Sequence, residues 1–139
     1  MALKWHAFAH RALIRSREES RIPFLIVQNM QTPIVKAIAG IRLEHVRQGK
    51  GRPILFLHPH LGLYGADGFV DALAKDAEVL AASHPGFGHS DVPKGMNSVE
   101  DLSYFYLDVL DALEWHDVTV VGASFGGWIA AAMAVKNTS

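Results

Sequence analysis

Three short apolar runs, each followed by a segment of different character, constrain the fold of this chain most strongly. The runs are 54–57, 79–82 and 118–121, each four residues long and almost wholly apolar. Such runs are typical of strands that are buried on both faces of a sheet. Because helix-like spacing lies between them, the order predicts an α/β fold with a mostly parallel sheet and crossover helices.

The segments beside these runs support that prediction. Residues 41–46 alternate apolar and polar side chains until the pattern breaks, which predicts an edge strand. Phe69, Val70, Leu73 and Ala74 have helical spacing. Residues 98–101 match a capping box at the start of a second helix. Apolar residues with helical spacing between Val99 and Leu113 form one face of that helix. The Ala-rich stretch 128–135 predicts a third helix.

Length and charge limit what kind of protein this is. With 139 residues, half of them apolar, the chain suits one globular domain. Residues 1–40 carry six Lys or Arg and two acids, whereas residues 41–139 carry seven and twelve. We therefore divide the chain into a basic N-terminal extension or surface helix, 1–40, and a main domain, 41–139.

Composition also excludes several partners and sites. The net charge of −1 gives no reason to expect a nucleic-acid partner. The chain has no cysteine, so neither a disulfide framework nor a thiolate zinc site is expected. No apolar run is long enough to cross a bilayer. A cytoplasmic location is the default expectation.

Unusual residues follow each of the three apolar runs. These are His58-Pro59-His60, the stretch 83–88 and Gly122-Ala123-Ser124. Parallel sheets place their active sites just beyond the carboxyl ends of the strands. We therefore expect the three segments to meet in one site.

The last of these segments, 122–126, matches the pattern G-x-S-x-G. It follows Val-Thr-Val-Val and precedes an Ala-rich helix, which is the strand–turn–helix context that a nucleophile elbow needs. The N-terminal amides of that helix would stabilise an oxyanion. A glycine-rich packing turn is the alternative interpretation. The sequence thus makes Ser124 the candidate nucleophile.

Over residues 41–139 the chain resembles the N-terminal half of the α/β-hydrolase family. The resemblance rests on the Phe-Leu-His-Pro-His-Leu-Gly segment at 56–62, on the Pro-Gly-Phe-Gly-His-Ser turn at 85–90 and on the elbow at Ser124. It implies a nucleophilic Ser124, oxyanion-hole amides on Phe125 and His60, and hydrolysis of an ester or similar acyl bond through an acyl-serine. Structural roles are implied for His58, Pro85, Gly86, Gly88, Gly122, Gly126 and Gly127. Loop position suggests an apolar acyl pocket formed by Leu61, Leu63, Tyr64 and Phe125.

The sequence departs from the family pattern in two places that bear on catalysis. Pro59 stands where the family has glycine, and proline has no N–H to donate. Ser83 stands where an acid is frequent, so a supporting hydrogen bond should differ.

The partners of the serine are missing from the expected place. In this family an acid and then a histidine follow the nucleophile. None of the fifteen residues after Ser124 is Asp, Glu or His. We therefore expect an incomplete hydrolase that is inactive or very weak as this chain, so whether the chain is itself an enzyme stays open. A non-catalytic binding or interaction protein derived from the fold is the alternative.

Other chemistry is weaker in the sequence. His58 or His60 could act as a substitute base, or the two could share a metal ion, but Pro59 stiffens the pair and no further ligand follows. No nucleotide-binding glycine motif is present. We expect no metal and no cofactor, and a small-molecule acyl or ester substrate for the complete enzyme. An open sheet edge would also permit self-association.

Overall fold

The computed structural model describes residues 34–136. The predictions for residues 1–33, and for the last three residues, lie outside the described part. The elements in chain order are β1 (Ile34–Ile38), β2 (Ile41–Gly49), β3 (Arg52–Leu57), α1 (Asp67–Leu73), β4 (Ala77–Ala82), α2 (Val99–Ala112), β5 (Thr119–Gly122) and α3 (Phe125–Lys136).

The five strands form one mixed sheet in the order β1-β2-β4-β3-β5. β3 pairs in parallel with both β4 and β5, and the connections run through α1 and α2. β2 is antiparallel to β1 and to β4. The predicted α/β architecture is confirmed, and each predicted apolar run lies within a strand of the parallel part or directly beside it.

The start of the sheet differs from the prediction. β1 lies inside the region expected as an extension, and it pairs with β2 through a tight hairpin. The turn residues Ala39 and Gly40 both have positive φ angles, 49° and 78°, as a two-residue hairpin requires. Within the described residues the sheet therefore begins at Ile34, not at residue 41, and β2 is an inner strand instead of an edge strand.

The two faces of the sheet are covered unequally. On one, which we call the two-helix face, α2 and α3 pack against residues such as Leu55, Leu57 and Leu80 in the larger core. On the other, the one-helix face, the seven-residue α1 covers a smaller core that includes Phe56 and Val79. Successive side chains of a strand point to opposite faces, which explains how Leu55, Phe56 and Leu57 divide between the two cores.

Helix α2 begins where the sequence predicts. The Ser98 hydroxyl accepts a hydrogen bond from the Asp101 amide (3.1 Å), and the Asp101 carboxyl accepts one from the Ser98 amide (2.9 Å), which confirms the capping box. Hydrogen bonds to its carboxyl group lower the pKa of Asp101, and the largest cause is the Asn97 amide, followed by the Ser98 hydroxyl. Across residues 34–136, the helices are all too short or too polar to span a membrane.

Candidate active site

The turn between β5 and α3 contains only Ala123 and Ser124. The Ala123 amide donates to the carbonyl of Leu57 (3.0 Å), and the Gly126 amide donates back to the Ala123 carbonyl (2.9 Å). Ser124 is exposed and has a φ of +51°. A left-handed serine costs about 1–2 kcal/mol, so the turn is held in a strained conformation by the packing on either side.

Two glycines make this sharp turn sterically feasible. A Cβ atom on Gly122 would collide with the backbone of Gly126, and one on Gly126 would collide with the carbonyl of Leu57. Gly127 lies less tightly, since a Cβ atom there would meet the Gly122 carbonyl at 3.4 Å. Helix α3 therefore approaches β3 and β5 to a distance that only glycine allows. The sharp turn leaves Ser124 exposed just beyond the end of β5.

Two backbone amides near the turn are available to a ligand. Among the described residues, neither Phe125 nor His60 donates its amide to a protein acceptor. Phe125 N–H lies at the start of α3, and His60 N–H lies in the turn that the Gly62-to-Pro59 hydrogen bond (3.0 Å) closes. Their role as oxyanion donors stays a prediction.

Ser124 borders an open cavity of about 620 Å³ on the one-helix face. This volume is within the range typical of small-molecule sites. Leu61 and Tyr64 line the cavity, as expected for pocket residues, together with Phe56, Phe69 and Val121. Leu63 does not line it, because its side chain is buried in the core beneath α1. The Phe125 side chain also lies elsewhere, against Phe87 and His84.

His58 and His84 form a buried stacked pair, with ring centroids 3.7 Å apart. The amide of His84 donates to Nε2 of His58 (2.9 Å), so the proton of the His58 ring is on Nδ1, which donates to the Pro59 carbonyl (2.6 Å). His84 Nε2 donates to the His58 carbonyl (3.0 Å), and its Nδ1 accepts from the hydroxyl of Tyr106. All four ring nitrogens are therefore occupied.

This burial keeps both rings neutral. Desolvation lowers the pKa of His58, although its bond to Pro59 opposes the shift. Desolvation, with a smaller contribution from His58, lowers the pKa of His84 to about 3. Burial also raises the pKa of Tyr106, which keeps its hydroxyl proton as the donor to His84. Hydrogen bonds between His58 and His84 thus link the segment after β3 to the segment after β4.

Comparison with known proteins agrees with this geometry. Residues 52–139 match the family model for the alpha/beta hydrolase fold. The chain belongs to the α/β-hydrolase family. It is 36% identical over 104 residues to the 2-hydroxymuconate semialdehyde hydrolase of Pseudomonas sp. strain CF600, covering 71% of this chain and 37% of that protein.

Two solved structures show the same fold. Est816, described as an N-acyl homoserine lactone degrading enzyme, is 32% identical with a TM-score of 0.63, over 74% of this chain and 40% of Est816. The epoxide hydrolase CorEH is 27% identical with a TM-score of 0.69, over 76% of this chain and 38% of CorEH. The chain thus spans about two fifths of the length of these α/β-hydrolases.

The histidine geometry bears on which base this α/β-hydrolase chain could use. The ring of His58 has no lone pair free to accept a proton from Ser124, because Nε2 already accepts from the His84 amide. His60 is exposed, and its side chain does not line the cavity with Ser124. Nor do any three His, Asp or Glu side chains within 34–136 cluster as metal ligands.

The turn after β4 depends on a residue that the sequence did not single out. Gly86 and Gly88 both have positive φ, and Gly88 lies against the carboxyl group of Glu44. Glu44 Oε2 accepts from the Ser83 hydroxyl (2.7 Å) and from the His89 amide (3.1 Å). At Ser83, where the family often has an acid, the carboxyl group thus comes from a neighbouring strand of the α/β-hydrolase sheet.

Glu44 was missed because the alternation in β2 placed it on the solvent side. The loop from Ser83 to Ser90 covers that side, so Glu44 is buried. The Glu44 amide donates a hydrogen bond to the Ser90 hydroxyl (3.0 Å), which also links β2 to this loop. A signal was present in the sequence: an acid in β2 and a serine at the usual acid position after β4.

Proposed function

We propose that Ser124 is the nucleophile of an acyl hydrolase that acts through an acyl-serine. Its Oγ would attack the carbonyl carbon of an ester or similar acyl bond and expel the alcohol. Water would then cleave the acyl-serine and release the carboxylic acid. The observation that carries this proposal is the exposed, left-handed Ser124 at the edge of a cavity of about 620 Å³.

The proposed oxyanion hole uses the amides of Phe125 and His60. Both have their N–H groups free of protein acceptors within the described residues. Phe125 adds the positive end of the α3 dipole, which favours negative charge at that point. Such donors act on the charge that develops on the carbonyl oxygen during attack.

The similar proteins support hydrolysis and a small substrate, but they differ in the bond that is cleaved. One is described as a 2-hydroxymuconate semialdehyde hydrolase, one as degrading an N-acyl homoserine lactone and one as an epoxide hydrolase. A serine nucleophile favours acyl transfer among these reactions. The substrate of the whole protein is therefore proposed as an ester or a related acyl compound.

We also propose that these 139 residues alone are catalytically inactive or very weak. A serine hydroxyl needs a base and an orienting acid. His58 and His84 are fully hydrogen-bonded, and no Asp, Glu or His follows Ser124 in the sequence. The outer edge of β5 is unpaired in the described sheet, so we propose that this edge supports self-association.

A serine-directed fluorophosphonate probe tests the nucleophile. We expect slow covalent labelling of the 139-residue protein at Ser124, located by peptide mass spectrometry and lost in Ser124→Ala. Ser98→Ala is the matched control, since it removes an exposed hydroxyl at the start of α2 and should leave labelling intact. Turnover of a p-nitrophenyl ester should not exceed that of Ser124→Ala.

Two outcomes would count against the proposal. Labelling no faster than in the urea-denatured protein would favour the non-catalytic binding protein over the hydrolase. Rapid, Ser124-dependent ester turnover would show that the chain has its own base, and would overturn the expected inactivity.

A further inference from the structure

The peptide group that joins Pro59 to His60 is held by its carbonyl oxygen. This oxygen accepts two hydrogen bonds, from Nδ1 of His58 (2.6 Å) and from the amide of Gly62 (3.0 Å). A trans peptide group is planar, so its N–H points away from its C=O. The groups that fix the Pro59 carbonyl therefore also orient the amide of His60.

The His58 ring can hold this carbonyl in only one of its two neutral tautomers. Nε2 accepts from the amide of His84 (2.9 Å), so the ring proton is on Nδ1 and faces the Pro59 carbonyl. In the other tautomer, two donors would meet at Nε2 and two acceptors would meet at Nδ1. Since the side chain is fully buried, water cannot readily relieve such a conflict.

The His84 ring is fixed in the opposite tautomer. Its Nε2 faces the carbonyl of His58 (3.0 Å), which can only accept, so the proton is on Nε2. Nδ1 is then an acceptor, and the hydroxyl of Tyr106 donates to it. Both side chains are fully buried. Loss of this hydroxyl would therefore leave Nδ1 without a donor in the interior of the protein.

The carbonyl that His84 holds lies against the start of α3. A Cβ atom on Gly126 would come within 2.7 Å of the His58 carbonyl oxygen. The residue before Gly126 is Phe125, whose ring packs edge-on against His84 with ring centroids 5.7 Å apart. The His84 ring thus contacts the segments that contain both proposed oxyanion donors.

We propose that Tyr106 and His84 are positioning residues of the oxyanion hole. The Tyr106 hydroxyl fixes the ring of His84, and the ring and amide of His84 together fix His58. The His58 ring in turn orients the His60 amide. Tyr106 and His84 lie outside the motifs on which the family resemblance rests. The inference rests on the proposed function, because it takes the His60 amide as an oxyanion donor.

The rate at which the fluorophosphonate probe labels Ser124 tests this positioning, because oxyanion donors stabilise the charge that develops on the phosphonyl oxygen. Tyr106→Phe deletes one hydroxyl, and we expect labelling of the folded protein to slow about tenfold through a misplaced donor. Tyr104→Phe, at an exposed position of the same helix, is the matched control and should keep the wild-type rate. Leu110→Ala removes core packing from α2 but no hydrogen bond of the histidine pair, so its folded form should also keep that rate.

Two substitutions at His84 separate the hydrogen bond from the packing. Glutamine can place an N–H donor near the position of Nε2, whereas methionine has a similar length and no donor. We expect His84→Met to slow the labelling of Ser124 about tenfold. His84→Gln should recover most of that loss.

Nitrogen-15 NMR of the 139-residue protein measures the geometry without any reaction. In the wild-type protein, the ring signals should show the proton on Nδ1 of His58 and on Nε2 of His84. Tyr106→Phe should mix the tautomers of His84 and should shift the amide signal of His60. Tyr104→Phe should change neither.

Several outcomes would overturn the inference. These are an unshifted His60 amide in Tyr106→Phe or, where the wild-type protein is labelled, equal rates for His84→Met and His84→Gln. Wild-type labelling that Tyr106→Phe does not slow would retain the nucleophile and reject the positioning. Labelling no faster than in the denatured protein, together with a shifted His60 amide in Tyr106→Phe, would reject the proposed chemistry and retain the positioning.

Discussion

The two faces of the sheet differ in how completely they are covered. On the two-helix face, the core extends through α2 and α3 and includes the fully buried Leu110 and Met133. On the one-helix face, α1 is the one helix within residues 34–136 that covers the sheet, and a cavity of about 620 Å³ remains beside it. The difference teaches that opposite sides of the same strands provide the close-packed core and the open space beside Ser124.

Ser124 joins the two faces. It is fixed by the close packing of α3 against β3 and β5, which belongs to the two-helix face, yet it borders the cavity of the one-helix face. A strained residue persists only where the surroundings over-determine it. The packing on the two-helix face therefore holds Ser124 in its strained conformation, and the cavity lies on the one-helix face.

Replacing a glycine by alanine in a helix of each face should give the largest difference in the free energy of unfolding. Gly126→Ala places a methyl group into the Leu57 carbonyl, so we expect a loss of about 3 kcal/mol or more in the free energy of unfolding, as for severe overpacking. Gly68→Ala, in α1, meets no atom within 4 Å and should stabilise by about 0.5–1 kcal/mol. Urea titration followed by circular dichroism measures both. Equal effects would contradict the proposed tight contact of α3.

Truncation of apolar side chains compares the faces directly. Leu110→Ala, on the two-helix face, should cost about 2–5 kcal/mol because it leaves a buried cavity. Phe69→Ala, on the one-helix face, should cost about 1 kcal/mol, since this ring is half-exposed and its loss opens no closed void. The same urea titration applies. A Phe69→Ala cost as large as that of Leu110→Ala would show that the one-helix face is as tightly packed as its opposite.

The buried pair His58 and His84 should make the free energy of unfolding depend on pH, by less than the changes expected for the glycine and leucine variants. The pKa of His84 falls from its ordinary 6.5 to about 3 on folding, so below pH 6.5 the unfolded chain takes up a proton that the folded chain does not. Stability should be full above pH 6.5 and should decline as the pH falls towards 3. His84→Gln should flatten this decline between pH 6.5 and 4, measured as the urea midpoint at each pH.

The exposed His116 supplies the control for that experiment. His116→Gln should leave the pH dependence of the wild-type protein unchanged. A decline that persists in full in His84→Gln would show that the buried pair is not its source.

Much of the fold was predictable from local pattern. The apolar runs at 54–57 and 79–82 fall within β3 and β4, and 118–121 overlaps β5, because strands buried on both faces need continuous apolar residues. β1 was not predicted, since Ile34–Ile38 is short and its turn uses Ala39 at a positive φ that alanine seldom adopts. Only pairing with β2 identifies it as a strand.

The sequence by itself determined the order of the elements, the strand–turn–helix context of Ser124 and the glycines around it, because these depend on residues near one another in the chain. The tertiary structure alone decided which groups are engaged. It paired Nε2 of His58 with the His84 amide, and it buried Glu44 under the loop after β4. It also placed Leu63 in the core and Leu61 at the cavity. Each of these contacts joins residues brought together by strand pairing or loop packing, and local pattern contains no information on that geometry.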